Sequence, residues 1–114
     1  MKIAIPTEDK KLNGKVADHF GRCNYYIFLD EEGKVIEIVD NTSKHKGDKL
    51  PPELIKNHGA DVLLCKGIGP KALDLCKQFG IDVYVLESKT VKEIFEKWKN
   101  GKIKKASFED VCKR

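Results

Sequence analysis

The sequence predicts a single α/β domain over residues 1–114, with a mixed β-sheet flanked by helices. In the second half of the chain, β-rich segments alternate with amphipathic helical segments, which is typical of parallel strands joined by right-handed crossovers. Three β-rich segments precede the first helix, and this favours antiparallel or mixed pairing there. The length of 114 residues and the 35% content of charged residues fit one globular domain.

The first half of the chain predicts three strands. KIAIP, at 2–6, is β-rich, alternates in polarity and ends in a proline, so it predicts the first strand. YYIFLD (25–30) and KVIEIVDN (34–41) predict the next two, joined by a hairpin turn. The connection between the first two strands contains an Asn-Gly turn at 13–14 and the segment VADHFGRC at 16–23. Connections of that length in compact domains are commonly functional.

The second half predicts two strands and three helices. The Pro51-Pro52 pair favours the start of the first helix, and Gly59 favours its end. DVLLC, at 61–65, is continuously apolar, as expected of a strand covered on both faces. KALDLCKQFG and IDVYVLE then predict a helix and a strand.

The last helix has the clearest sequence signals. Thr90 and Glu93 have the spacing of a capping box, and Gly101 follows the helical pattern. Its predicted buried stripe consists of four apolar residues, Val91, Ile94, Phe95 and Trp98. The segment 102–114 is ambiguous.

Composition narrows the function classes. The net charge of +4 comes from lysines that alternate with acids on the predicted helices, which favours a solvated surface over a nucleic-acid-binding stripe. No apolar run approaches the roughly 20 residues of a membrane helix, and the first segment does not resemble a signal peptide. We therefore expect a cytoplasmic protein that binds neither membranes nor nucleic acid.

Four cysteines, Cys23, Cys65, Cys76 and Cys112, are widely spaced and form no C-x-x-C pair. This spacing disfavours a zinc ribbon or a thioredoxin-type motif. A disulfide framework is also disfavoured in a chain expected to stay in the cytoplasm. Cys65 and Cys76 are expected to be small buried apolar residues.

The segment VADHFGRC concentrates chemically distinctive side chains. His19 and Cys23 are four positions apart and can converge on a helix face or a bent loop. Imidazole and thiolate suit iron, copper, zinc or an iron–sulfur cluster, and Arg22 offers donors to an anion. Two ligands are too few for structural zinc but suffice to hold a preassembled cluster. An ordinary loop histidine is the alternative, whereas a His19–Cys23 base and nucleophile pair, oriented by Asp18, is disfavoured.

The segment CKGIGPKA lies between a predicted strand and a predicted helix. Gly67, Gly69 and Ala72 have the spacing of a dinucleotide fingerprint, and Glu87 lies twenty residues after Gly67. The same glycines would let backbone amides approach an anion at a helix N-terminus, although Pro70 removes one donor. A tight turn, an anion-binding loop and a dinucleotide site all remain open interpretations.

Three stretches together resemble the dinitrogenase iron–molybdenum cofactor biosynthesis family, small stand-alone relatives of nitrogenase accessory proteins. They are VADHFGRCNYYIFLD, NHGADVLLCKGIGPKALDLCKQFGIDVYV and VKEIFEKWKNGKIKKA. The resemblance extends from Lys2 to about Lys105. It implies a ribonuclease-H-like fold without ribonuclease activity. It also implies binding, carriage or protection of an iron–sulfur or iron–molybdenum–sulfur cluster.

The resemblance also points to particular residues. The family's cluster-binding histidine corresponds to His19, and the family's second motif corresponds to Gly67, Ile68, Gly69 and Pro70. Many relatives have a stretch rich in glycine and histidine where this chain has SKHKGDK. Only His45 and Gly47 remain there, so a ligand role for His45 stays open.

We therefore predict a non-enzymatic carrier of an iron–sulfur or iron–molybdenum–sulfur cluster that serves metallocofactor assembly or storage. Its partners would be assembly or acceptor proteins. The predicted site consists of His19, Arg22, Cys23, Gly67, Ile68, Gly69 and Pro70, with His19 and Cys23 as metal ligands. Asn24, Lys66 and Lys71 are weaker candidates. The alternatives are a nucleotide-binding module that uses the GIGPKA loop and Glu87, and a partner-docking domain without cargo.

Overall fold

The structure is a computed structural model in which residues 1–41 and 50–101 are described. These residues form a five-stranded sheet and three helices. In chain order the elements are β1 (Ile3–Thr7), β2 (Tyr25–Leu29), β3 (Val35–Asp40), α1 (Pro51–Asn57), β4 (Val62–Cys65), α2 (Pro70–Gln78), β5 (Asp82–Val85) and α3 (Val91–Asn100). None of these helices is long and apolar enough to cross a membrane.

The sheet has the strand order β3-β2-β1-β4-β5, with β1 at its centre. β1 pairs antiparallel with β2, and β2 pairs antiparallel with β3. On the other side, β1, β4 and β5 run parallel. The predicted mixed sheet flanked by helices is confirmed, and its order is that of the ribonuclease-H-like fold that the resemblance implied.

One predicted strand end is wrong. Pro6 does not end β1, because the ladder with β2 continues to a pair between Thr7 and Tyr25. The Pro6 carbonyl meanwhile accepts a hydrogen bond of 3.0 Å from the backbone amide of Ala17. A proline lacks only the donor, so its carbonyl remains available to the connection that follows β1.

Alternating residues of the strands supply two buried layers, one on each side of the sheet. We call them the α1/α2 face and the α3 face, after the helices that cover them. Side chains of β1 show the alternation, since Ala4 belongs to the α1/α2 face whereas Ile3 and Ile5 belong to the α3 face. All four residues of β4 are buried, as predicted for a strand covered on both sides.

The helix starts follow the predicted signals. Pro51 opens α1, and Pro70 opens α2 directly after its N-cap residue, Gly69. At α3, the Thr90 hydroxyl accepts a hydrogen bond of 3.1 Å from the amide of Glu93. The Glu93 carboxylate reaches back to the amide of Lys89 at 2.7 Å, so both ends of the capping arrangement are hydrogen-bonded.

Candidate functional site

The two segments that the sequence singles out meet beyond the carboxyl ends of β1 and β4. VADHFGRC lies in the connection that follows β1, and GIGP lies in the one that follows β4. The amide of Phe20 donates a hydrogen bond of 2.8 Å to the carbonyl of Gly67 and so joins the two segments. From β1 the chain passes to β2, and from β4 it passes to β5, so the two connections lead towards opposite edges of the sheet. Ligands of open α/β sheets commonly bind at such a position.

A pocket of about 510 Å³ opens between the VADHFGRC segment and the first turns of α1 and α2. Three cationic or titratable side chains, those of His19, Arg22 and Lys71, contribute to its wall. Its remaining lining residues are apolar or glycine: Phe20, Leu50, Pro51, Pro52, Gly69, Pro70, Ala72 and Leu75. The pocket therefore combines an apolar wall with a positively charged rim.

A tight turn presents His19 and Arg22 to this pocket. The amide of Arg22 donates a hydrogen bond of 3.1 Å to the carbonyl of His19. Gly21, between them, has a φ of +95°, in the left-handed region that favours glycine. A Cβ atom there would lie 3.2 Å from Cγ of Pro51, so the turn also packs closely against the start of α1.

Cys23 occupies a different environment from His19. It is fully buried in the α1/α2 face and is absent from the pocket wall. Burial raises the pKa of its thiol to about 11, although a neighbouring Tyr26 hydroxyl opposes the shift. The thiol is therefore harder to deprotonate than that of an ordinary cysteine, and metals bind the deprotonated thiolate. The structure thus places the two predicted metal ligands, His19 and Cys23, in different environments.

The second motif also divides between pocket and core. Gly69 and Pro70 line the pocket, whereas Ile68 is fully buried. Gly67 contributes its carbonyl, which accepts the hydrogen bond from the amide of Phe20. A Cβ atom on Gly69 would meet no atom within 4 Å, so space does not require glycine there. Pro70 has no N–H group, and backbone donation to the pocket would fall to Lys71 and later residues of the first helical turn.

The two lysines that were weaker candidates for the site, Lys66 and Lys71, lie in different places. Lys71 lines the pocket, whereas Lys66 forms ion pairs with Asp18 at 3.1 Å and with Glu87 at 3.6 Å. The hydrogen bond from Lys66 lowers the pKa of Asp18, and the same bond raises the pKa of Lys66. The Glu87 side chain is 88% exposed and lies outside the pocket wall, so the acid of the dinucleotide hypothesis does not accompany Gly69.

Asn24 is held at the other end of the loop. Its side-chain amide donates a hydrogen bond of 3.4 Å to the carbonyl of Glu8, and it is absent from the pocket wall. His45 and Cys112 lie outside the described residues. In residues 1–41 and 50–101, no three His, Cys, Asp or Glu side chains cluster as a metal site.

Two groups of residues around the pocket are not indicated by the sequence patterns. The first is the apolar wall, which includes Phe20, Leu50 and Leu75. Leu50 is the most exposed of the three, at 40%, and the sequence gives no signal for that. The second is Asn41, which is 1% exposed and is hydrogen-bonded to the VADHFGRC segment. A polar residue at a strand end is an ordinary turn signal, and this concealed its role.

The strand order and the flanking helices place the chain in the class of small ribonuclease-H-like α/β proteins. Residues 1–101 match the family described as dinitrogenase iron–molybdenum cofactor, and the chain belongs to this family. The resemblance proposed from the sequence is therefore confirmed. The description of this family associates its members with processes that involve the iron–molybdenum cofactor of nitrogenase.

Individual relatives match almost the whole chain. An uncharacterized protein of Methanocaldococcus jannaschii is 34% identical over 92% of this chain and 91% of its own length. The apo form of the orange protein from Desulfovibrio gigas is 28% identical, with a TM-score of 0.83, over 93% of this chain and 92% of that one. A Thermotoga protein provisionally described as NifB is 31% identical, with a TM-score of 0.76, over 91% of both chains.

Proposed function

We propose that the chain is a non-enzymatic carrier that binds an anionic iron–sulfur or iron–molybdenum–sulfur cluster in the pocket beside α2. The observation that carries this proposal is the position of His19 and Arg22 on one pocket wall with the first turn of α2. Membership of the dinitrogenase iron–molybdenum cofactor family supports the choice of cargo.

The charges of the pocket suit an anion with a metal–sulfide surface. The guanidinium of Arg22 and the ammonium of Lys71 can neutralise negative charge, and the helix N-terminus adds to this field. The imidazole of His19 can ligate an exposed metal atom. Apolar side chains such as Phe20 and Leu75 suit weakly hydrated sulfide surfaces better than strongly hydrated oxyanions.

The position of Cys23 refines the predicted ligand set. Its burial in the core, away from the pocket wall, favours a cargo held by His19 and by cationic side chains, with no cysteine bond. A cargo held by one ligand and by charge can be passed on without breaking a set of thiolate bonds. This suits storage of a metallocofactor or its delivery to assembly and acceptor proteins. The same buried thiol is also unsuited to act as a nucleophile, which supports a non-enzymatic role.

The test uses tetrathiomolybdate, a small dianion with a metal–sulfide surface, and reconstitution with iron and sulfide, both without oxygen. We expect the wild-type protein to bind tetrathiomolybdate saturably, with a change in its charge-transfer bands, and to bind molybdate at least tenfold more weakly. His19→Ala and Arg22→Gln should each reduce the affinity for tetrathiomolybdate about tenfold, because each removes one strong polar contact.

Two controls make the test specific. Lys71→Ala should weaken binding, whereas Lys56→Ala removes the same charge from an exposed site on α1 outside the pocket and should have little effect. Cys23→Ala should retain the affinity. The proposal is wrong if the His19→Ala/Arg22→Gln double variant takes up tetrathiomolybdate and the iron–sulfide cargo as well as the wild type does.

A further inference from the structure

We propose that Asn41 is a positioning residue whose side-chain amide fixes the turn that presents His19 and Arg22 to the pocket. Asn41 follows β3 and lies outside the pocket wall. Its effect on ligand binding rests on the proposed function, but its effect on the turn does not.

Both hydrogens of the Asn41 amide have acceptors in the VADHFGRC segment. Nδ2 lies 3.0 Å from the carbonyl oxygen of Gly21 and 2.9 Å from that of Cys23. The Sγ atom of Cys23 lies 3.7 Å from the same nitrogen. Because Asn41 is 1% exposed, water cannot readily replace these bonds.

The backbone of Asn41 is fixed as well. Its amide donates a hydrogen bond of 3.0 Å to the carbonyl of Asn24, at the residue just before β2. The side chain therefore extends from a backbone that is tied to the sheet. This gives the turn at Gly21 a rigid support 20 residues away in sequence.

The two acceptor carbonyls belong to the residues on either side of Arg22. Holding both of them sets the direction in which the Arg22 side chain leaves the backbone. The hydrogen bond from the amide of Arg22 to the carbonyl of His19 fixes the position of His19 relative to Arg22. The hydrogen bond from the amide of Phe20 to the carbonyl of Gly67 holds the turn against the connection that precedes α2. Asn41 thus determines the relative placement of the His19 and Arg22 side chains from outside the pocket wall.

The decisive substitution is Asn41→Asp, which keeps the shape of the side chain. An ionised aspartate has no donor, and a protonated one has a single donor in place of two. In either state at least one buried carbonyl loses its partner. We expect the amides of Phe20 and Arg22 to exchange with solvent at least tenfold faster, and the affinity for tetrathiomolybdate to fall at least tenfold.

A matched control separates positioning from general stability. Ile94→Ala empties a site on the α3 face and should destabilise the fold without changing the exchange of the Phe20 amide by local opening. Its affinity for tetrathiomolybdate should match that of the wild type. Hydrogen exchange followed by NMR on the free protein gives a readout that needs no ligand.

The outcomes decide between the two proposals. The positioning role is overturned if Asn41→Asp retains wild-type exchange at Phe20 and Arg22, if exchange rises while affinity is unchanged, or if Ile94→Ala produces the same changes. Failure of the wild type to bind either metal–sulfide cargo would instead overturn the proposed function. In that case the exchange rates alone would decide the role of Asn41 in the turn.

Discussion

The two faces of the sheet are built from the same strands but differ in chemistry. The α3 face is hydrocarbon throughout its buried cluster, with isoleucine, leucine, valine and phenylalanine side chains. The α1/α2 face buries the three cysteines of the described ranges, Cys23, Cys65 and Cys76, together with Tyr26. The hydroxyl of Tyr26 is buried there as well, next to the thiol of Cys23.

The comparison shows that different interactions hold α3 and the VADHFGRC segment in place. Apolar packing holds α3 on the sheet, and such packing is non-directional. The VADHFGRC segment also buries apolar side chains, but it has no regular ladder, so its turn at Gly21 is set by directional bonds to Asn41 and to the carbonyl of Gly67. Substitutions on the α3 face should therefore change stability alone, whereas substitutions around the loop should change the pocket.

The largest expected effect is on the α3 face. Ile94 is fully buried against the sheet, and Ile94→Ala should lower the free energy of unfolding by about 2–5 kcal/mol, since it removes buried methyl groups and leaves a cavity. Urea denaturation would measure this loss. An equal loss of affinity for tetrathiomolybdate under conditions where the variant remains folded would contradict the proposed separation of the two faces.

The second effect concerns the buried thiols of the α1/α2 face. Burial raises the pKa of Cys23 to about 11 and that of Cys76 to about 12, from an ordinary value of 9.0. The thiols of the unfolded chain lose their protons near pH 9, whereas those of the folded protein retain them. The contribution of the buried thiols to the free energy of unfolding is therefore complete below pH 9 and declines as the pH rises through 11. We expect a loss of roughly 2–3 kcal/mol by pH 10.

Urea denaturation at several pH values measures this loss, and the Cys23→Ala/Cys76→Ala variant is the control. Other groups also titrate above pH 9, and the variant retains them. Its stability should therefore fall less steeply between pH 9 and pH 11 than that of the wild type. Equal slopes would show that the thiols do not carry the effect.

The third effect is at the turn itself. Gly21→Ala forces a side chain into a left-handed conformation with its Cβ atom 3.2 Å from Pro51. The conformational cost is about 1–2 kcal/mol. Because the strain falls between His19 and Arg22, we expect weaker binding of tetrathiomolybdate as well. Gly80→Ala has a similar φ of +76° with open space around it, and it should lose stability without losing affinity.

Most of the fold could be predicted because periodic patterns encode it. The continuous apolar run of β4 and the signals at Thr90 and Glu93 lead directly to the observed elements. Pro6 predicts the wrong strand end because a missing donor does not stop the ladder, which continues through Thr7. Local rules identify an element better than they locate its last residue.

The candidate site could be predicted only in part. The predicted site already combines VADHFGRC with GIGP, and the two segments meet because they follow β1 and β4, which are parallel neighbours. The inward orientation of Cys23 could not be predicted, since an irregular loop has no period from which to infer a facing direction. Asn41 acts through bonds to residues 18 and 20 positions away, and such contacts exist only once the tertiary structure has formed.

The smallest expected effect lies on the α1/α2 face but away from the pocket. Glu37 on β3 binds Nζ of Lys2 at 2.6 Å and Nδ1 of His58 at 2.9 Å. The hydrogen bond from Lys2, followed by that from His58, lowers the pKa of Glu37 below its ordinary value of 4.5. The resulting stabilisation is present above pH 4.5 and is lost as the pH falls through the lower folded pKa.

Glu37→Gln should therefore lower stability at pH 7 by no more than about 1 kcal/mol, as is usual for partly exposed ion pairs. The difference from the wild type should vanish at a pH below the folded pKa, where Glu37 itself is neutral. Urea denaturation at both pH values measures this convergence. Lys2 lies at the amino end of β1 and the pocket lies beyond its carboxyl end, so the affinity for tetrathiomolybdate should not change. A weaker affinity would mean that the whole α1/α2 face, and not the hydrogen-bonded loop alone, sets the shape of the pocket.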